Sequence, residues 1–306
     1  MSGGSLVVGD EVRDALGRGA GVAALETSVI GQGLPHPRNL ECVDRVSRAI
    51  RSSETVPAWI GVLEGVVRIG LTDDDLVRFA EPGRATKVAR RDLPAAVASR
   101  GLGATTVSAT IWAAAKAGIR VGATGGIGGV HPGPGADVSA DLLELARTPG
   151  MLVCSGPKSI VEAVATAERM DELGVALIGY RADRLASFLA REAPIELEHR
   201  VDTPEEAASM LRASLDLGTR STLVLCNPIP EVHAMDPHEV SEAIAEAERR
   251  MADADVRGKA RTPFLLAALA EITEGRSLEA NLALLEDNAR LAGAVASAFA
   301  ALPAAT

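Results

Sequence analysis

The sequence predicts an α/β protein built as three layers, α/β/α, around a central mixed sheet, with a single domain over residues 1–306. Three observations carry this expectation. Residues 21–25, 119–123, 151–154 and 222–226 are short runs that are apolar or small at every position but Arg120, the pattern of strands covered on both faces. Segments with apolar residues at helical spacing separate these runs. Aromatic residues are only 2% of a chain that is 47% hydrophobic, so the core must be Ala, Val, Leu and Ile, which suits helices packed on a sheet. A chain of 306 residues could form one large core or two medium ones. No linker, charge block or internal repeat divides it, and one domain is the expectation.

The elements follow in order. A short helix over 10–19 leads into the first buried strand, which ends in Glu26-Thr27-Ser28. The Gly- and Pro-rich stretch 31–37 is a loop, and a helix covers 38–53. Residues 58–71 read as two strands joined at Glu64-Gly65, a hairpin signal. Thr72 followed by three aspartates caps the next helix and places acids in its first turn. Lys87-Val88-Ala89 is a short strand, and 92–99 is helical with Pro94 in its first turn. An Ala-rich helix follows Thr105-Thr106-Val107 and ends at Gly118. The strand at 119–123 runs into a glycine-dense loop over 124–135, and a helix begins near Ser139. Another strand lies at 176–180, and the C-terminal third is mainly helical.

Composition removes several function classes. The net charge of −10 and the scarcity of aromatic platforms argue against a nucleic-acid partner. Cys42, Cys154 and Cys226 form no paired motif and read as buried thiols of a reducing compartment. Residues 1–20 lack a signal-peptide pattern, and no apolar run is long enough to span a bilayer, so a cytoplasmic protein without a membrane partner is expected.

The chemistry is expected where strands end. In an open α/β sheet the C-terminal ends of strands converge on one crevice. Glu26, the glycine loop with His131, Lys158 and Asn227 all follow buried strands, so one crevice would hold an acid, an amine and an amide. Lys87, Lys116, Lys158 and Lys259 are the only lysines, and arginine stays protonated, so any amine nucleophile comes from these four. Lys158 follows a buried strand and a Gly-Pro turn. It reads as a partly desolvated amine able to add to a carbon electrophile, or as a surface lysine reaching from a loop. Glu26 reads as a general acid or base, or as a carboxylate capping the next loop. Asp137 and Asp141, four residues apart at a helix start, read as helix-capping acids, or as a pair sharing a hard divalent cation. The glycine loop allows close backbone approach and can turn N–H groups toward a phosphate, with Lys87 as counter-charge. His36, His199, His233 and His238 have no metal-ligand spacing and read as surface residues.

Taken in order, Ala-Leu-Glu-Thr-Ser (24–28), Lys-Val-Ala-Arg-Arg-Asp-Leu-Pro (87–94), Gly-Ala-Thr-Thr-Val-Ser-Ala-Thr (103–110), Ala-Thr-Gly-Gly-Ile-Gly-Gly-Val-His (123–131), Ser-Ala-Asp-Leu (139–142), Cys-Ser-Gly-Pro-Lys-Ser-Ile (154–160), Asn-Pro-Ile-Pro-Glu (227–231) and Thr-Pro-Phe-Leu-Leu (262–266) resemble the pseudouridine-5′-phosphate glycosidase family across nearly the whole chain. The resemblance implies an α/β/α fold, a homotrimer and a divalent metal such as manganese, Mn2+. It implies Lys158 as Schiff-base nucleophile, Glu26 as proton donor and Asp137 at the metal. Substrate contacts fall on Lys87, Val107, Ser139, Ala140 and Asp141, with His131 in the matching loop and Asn281 at a position lining the family's site. The implied substrate is a ribose 5-phosphate C-glycoside carrying uracil. A carbon–carbon glycosidic bond has no leaving oxygen to protonate, so the paired-carboxylate route of ordinary glycosidases does not serve, whereas an amine that becomes an imine can push the ring carbon out. The sequence departs from the family at Gln32, where histidine is usual, at Glu64-Gly65, where Gly-Gly is usual, and in a shorter, Pro-rich stretch between His131 and Asp137. These positions are expected to wall the base pocket. A related enzyme type attaches ribose 5-phosphate to an aromatic polyketide, and a shorter loop would suit that bulkier acceptor. An inactive sugar-phosphate sensor is the third reading.

Overall fold

A computed structural model describes residues 5–133 and 137–303. Residues 134–136, part of the Pro-rich stretch noted above, lie outside the described residues. The chain lays down β1 (Leu6–Val8), α1 (Asp10–Gly17), β2 (Val22–Glu26), α2 (Arg38–Arg51), β3 (Val56–Leu63), β4 (Val66–Ile69) and α3 (Asp73–Ala80). Next come β5 (Thr86–Val88), α4 (Leu93–Ser99), β6 (Leu102–Thr105), α5 (Val107–Lys116) and β7 (Val121–Ala123). Beyond the glycine loop lie α6 (Ala140–Leu145), β8 (Gly150–Cys154), α7 (Ala163–Glu172), β9 (Leu177–Tyr180), β10 (Arg184–Ser187), β11 (Ala190–Glu196), β12 (His199–Val201), α8 (Pro204–Asp216) and β13 (Thr222–Cys226). The chain closes with α9 (Pro237–Asp253), α10 (Arg261–Ile272) and α11 (Arg276–Ala301). No helix is long and apolar enough to cross a membrane, among the described residues.

Among the described residues the sheet has eleven strands in the order β1-β4-β3-β2-β7-β8-β13-β9-β12, with β6 joining β3 to β5. From β3 to β12 the neighbours are parallel, while β4 and β6 run antiparallel to β3, so the sheet is mixed as the sequence predicts. Alternation along each strand divides the core between two faces. Ala23, Leu25, Val153 and Leu225 pack with α2, α8 and α11, whereas Ala24 meets α1 and α5, and Leu152 and Val224 meet the α6–α7 side. Thr72 caps α3 in a reciprocal pair with Asp75, as its sequence implies. Glu64 and Gly65 both take positive φ, which a two-residue hairpin turn of this hand requires.

Two features of the sheet position the site. β2 pairs with β3 only as far as Glu26 opposite Ile60, and β6 then takes the same edge of β3 at Gly61 to Leu63. Because β5 and β6 run against the central strands, their C-terminal ends meet the end of β2 head-on. Thr105 N donates to Thr27 Oγ1 at 2.9 Å across that meeting point. Lys87 and Thr106 therefore face the strand end that carries Glu26. Second, α9 and α10 pack on Ile160 and Val161, two and three residues after Lys158. This hairpin of helices roofs the crevice.

Candidate active site

Glu26 is buried, at 5% exposure, as the last residue of β2. Both carboxyl oxygens are held by hydroxyls. Ser28 Oγ donates to Oε2 at 2.6 Å, and Thr124 Oγ1, at the end of β7, donates to Oε1. Hydroxyls donate or accept, so both can follow a proton on or off this carboxyl.

Lys158 is half-buried beyond the end of β8. Its backbone is fixed against the glycine loop: Ile127 N donates to Gly156 O at 3.1 Å, and Lys158 N to Ile127 O at 3.0 Å. The turn requires glycine at 156, where φ is +75° and a Cβ would lie 2.0 Å from the Ala186 carbonyl oxygen. Among the described residues no carboxylate forms an ion pair with the Lys158 ammonium.

Two arms of one crevice meet at Glu26, Ser28, Lys87, Lys158 and Thr262. The first arm is largely apolar, walled by Val29, Gly125, Gly126, Phe188, Pro263, Leu266 and Leu285, with the Thr124 hydroxyl and the amides of Gln32 and Asn281 as polar groups. The second is polar, lined by Arg91, Asp92, Thr106, His131, Asp137, Ser139, Ala140 and Asp141. The apolar arm continues outward into a larger apolar annex past Leu34, Pro35, Leu189, Leu269 and Leu278, sharing Gln32, Phe188 and Asn281 with it.

Most sequence-predicted residues meet here, with corrections. Val107 is buried as the first residue of α5 and does not line the crevice; its neighbour Thr106 does. Asn227 does not line it either. The amide in the crevice is Asn281 of α11, while Asn227 lies beneath, donating to Asp287 at 2.9 Å. Asp137 and Asp141 do not share a helix face, because α6 begins only at Ala140. The Asp141 oxygens accept from Ser108 N at 3.0 Å and Gly128 N at 3.1 Å, so this carboxylate ties α5 and the glycine loop to α6. Asp137 is exposed on the polar arm. Three N–H groups of the glycine loop are taken up by the protein: those of Ile127, Gly128 and Val130 bond to Gly156, Asp141 and Thr166. Its glycines serve close packing, since a Cβ on Gly128 would meet Ser139 Oγ at 2.3 Å. Glu64 stands away from the crevice, paired with Arg78, whereas Gln32 does wall the apolar arm. Gln32 Nε2 donates to Ala85 O at 2.8 Å, leaving Oε1 enclosed without a partner. His36, His199, His233 and His238 are exposed, as expected.

His131 is buried at 8% exposure, its backbone N–H donating to Asp137 O at 2.9 Å. Burial, then the nearby Arg261 charge, push its pKa below the usual imidazole value, so the ring is neutral near pH 7. Its Nδ1 is enclosed and without a partner. No set of three or more His, Cys, Asp or Glu side chains is arranged as a metal cage among the described residues. The exposed Asp137 carboxylate instead fits a hard cation that keeps most of its water shell and takes one or two carboxylates from the protein.

Phe188 is the wall that the sequence reading missed. It sits at the turn between β10 and β11 with φ of +57°, a strained conformation for a bulky residue. Its N–H is held by Ser155 O at 2.8 Å, which anchors the hairpin to the loop carrying Lys158.

The chain is 47% identical to a pseudouridine-5′-phosphate glycosidase of Symbiobacterium thermophilum, over 95% of this chain and 96% of that one. The crystal structure of a prealnumycin C-glycosynthase, AlnA, in complex with ribulose 5-phosphate superposes with a TM-score of 0.87 at 38% identity, covering 97% of each chain. An indigoidine synthase A-like protein from Thermotoga maritima superposes with a TM-score of 0.88 at 35% identity, covering 97% of this chain and 98% of that one. Residues 11–298 match the family model described as indigoidine synthase A like protein, and the chain belongs to that family.

Proposed function

We propose that this protein cleaves, reversibly, the carbon–carbon glycosidic bond of pseudouridine 5′-phosphate, giving uracil and ribose 5-phosphate through an imine on Lys158. The observation that carries this reading is the meeting of the two arms. The buried acid Glu26 and the amine Lys158 stand where an apolar arm fit for a planar base joins a polar arm fit for a sugar phosphate. The glycosidase relatives and the sugar-phosphate complex of the glycosynthase support the same assignment.

In this mechanism Lys158 Nζ bonds to C1′ as the bond from C1′ to the ribose ring oxygen breaks; Glu26 gives its proton to that oxygen and then takes one from the attached nitrogen. The nitrogen lone pair then forms the imine while the bond from C1′ to the base carbon breaks. Its electrons leave on the base carbon, which takes up the proton that Glu26 received from the nitrogen. Water releases the sugar. Lys87 faces the phosphate, Ser139 to Asp141 line the polar arm against the sugar, and Asn281 faces the base. Asp137 would hold a divalent cation such as manganese with water ligands; when bound, such an ion supplies positive charge beside the sugar phosphate. A homotrimer and a cytoplasmic location belong to the same proposal.

The test is turnover of pseudouridine 5′-phosphate with release of uracil, combined with borohydride trapping and peptide mass mapping. The sugar is expected on Lys158, and Lys158→Ala is expected to abolish turnover with the fold intact. Label on Lys87 alone, or none, overturns the covalent route. One observation favours a second reading, a C-glycosynthase joining ribose 5-phosphate to a bulkier aromatic acceptor: the apolar annex extends the base arm outward. A panel of aromatic acceptors offered with ribose 5-phosphate separates the two.

A further inference from the structure

Asn288 lies on α11, which is not itself a strand end, and its side chain is fully buried. Its Nδ2 donates to Thr124 O at 2.9 Å, to Ser155 Oγ at 3.1 Å and to Gly125 O at 3.3 Å. Its Oδ1 accepts from Asn227 Nδ2 at 3.1 Å. One amide thus ties together the ends of β7, β8 and β13. Its orientation is fixed by its neighbours. The Asp287 carboxylate, 2.9 Å from Asn227 Nδ2, demands a donor there, so the Asn227 amide in turn demands an acceptor from Asn288. The two carbonyls at the end of β7 demand donors from the other side of the same amide.

Two of the tied segments lead to reacting groups. Thr124 carries the hydroxyl on Glu26 Oε1, and Ser155 stands three residues before Lys158 in the turn that also holds Phe188. The polar arm is held by different bonds, those of Asp141 to Ser108 and Gly128. We propose that Asn288 is a positioning residue that sets Glu26 and Lys158 against each other through Thr124 and Ser155, while leaving the sugar-phosphate arm to Asp141. This rests on the proposal that Lys158 and Glu26 perform the reaction.

The experiment compares wild type, Asn288→Ala and Val295→Ala, the last a fully buried residue of the same helix that packs in the apolar core. Active sites are counted by borohydride trapping of ribose 5-phosphate taken to completion, so that turnover is expressed per competent site. Displacement of reacting groups by about 1 Å costs on the order of a hundredfold in rate. Asn288→Ala is therefore expected to lower kcat per trapped site by about tenfold to a hundredfold, with KM for pseudouridine 5′-phosphate little changed. Val295→Ala is expected to lower the melting temperature while keeping kcat per site. Asn227→Ala, which removes one bond to the same amide, should lower kcat in the same direction by less, and it serves if Asn288→Ala does not fold. Unchanged kcat per site in the network variants, with normal trapping in the wild type, overturns the positioning role alone. A parallel rise in KM overturns the division between the arms. Absence of trapping in active wild type overturns the covalent reading beneath both.

Discussion

At the scale of single residues, charge decides the binding of the sugar phosphate. The chain carries a net −10, an unfavourable bulk field for a dianion, and under the proposed function Lys87, at the junction of the arms, is expected to offset it, with Arg91 also on the polar arm. A charge-assisted hydrogen bond of this kind contributes about 1.5–3 kcal/mol. Lys87→Ala is expected to raise KM for ribose 5-phosphate by about tenfold to a hundredfold, while unphosphorylated ribose, already a poor substrate, loses little more. Steady-state kinetics on both sugars check this, and an equal loss on the two places the phosphate elsewhere. The places of Glu26 and Lys158 at the crevice were legible from sequence because each ends or follows a short buried run, and strand ends converge, whereas Lys87 lies inside the partly exposed β5 and carries no such signal. Asn227 misled for the same reason: it also ends a buried strand, yet its amide is consumed beneath the site by Asp287 and Asn288. Phe188 was illegible because Leu-Ala-Ser-Phe-Leu-Ala carries no Gly, Pro, Asn or Asp, and the Ser155 carbonyl and the packed hairpin hold its backbone at positive φ.

At the scale of elements, the long buried strands and amphipathic helices were readable from periodicity. The short strands were not. β6 is Leu-Gly-Ala-Thr, whose pairing depends on β3 having lost β2 as a neighbour, a tertiary fact with no local signal. The start of α6 shows how two acids at one spacing take different work. Asp141, buried, joins three elements through backbone N–H groups, while Asp137 precedes the helix and faces solvent. Asp137→Ala is expected to leave folding unchanged and to raise the manganese concentration needed for activity. Asp141→Ala is expected to cost about 2–4 kcal/mol of stability, as two charge-assisted bonds are lost, and manganese should not restore its activity. Urea denaturation and metal titration of chelated enzyme distinguish the two; a shared metal defect in both variants would contradict the assignment.

At the scale of the molecule, the sheet buries all three thiols. Burial pushes the Cys42 thiol up to about 12, and Cys226, against Cys154 on the neighbouring strand, also moves upward. Native protein is expected to give no reaction with a thiol reagent at pH 8, and three equivalents once unfolded; fast labelling of the native form would refute this packing. The same sheet gives the crevice its two arms, and that has a kinetic consequence. Under the proposed function the base would leave through the apolar arm and its annex, while the sugar would stay bound to Lys158 and anchored in the polar arm. Departure of one product therefore does not require departure of the other. Isotopically labelled uracil should enter pseudouridine 5′-phosphate faster than ribose 5-phosphate appears in solution, because the imine waits for either water or a returning base. Exchange no faster than net release would mean that both products leave by one door.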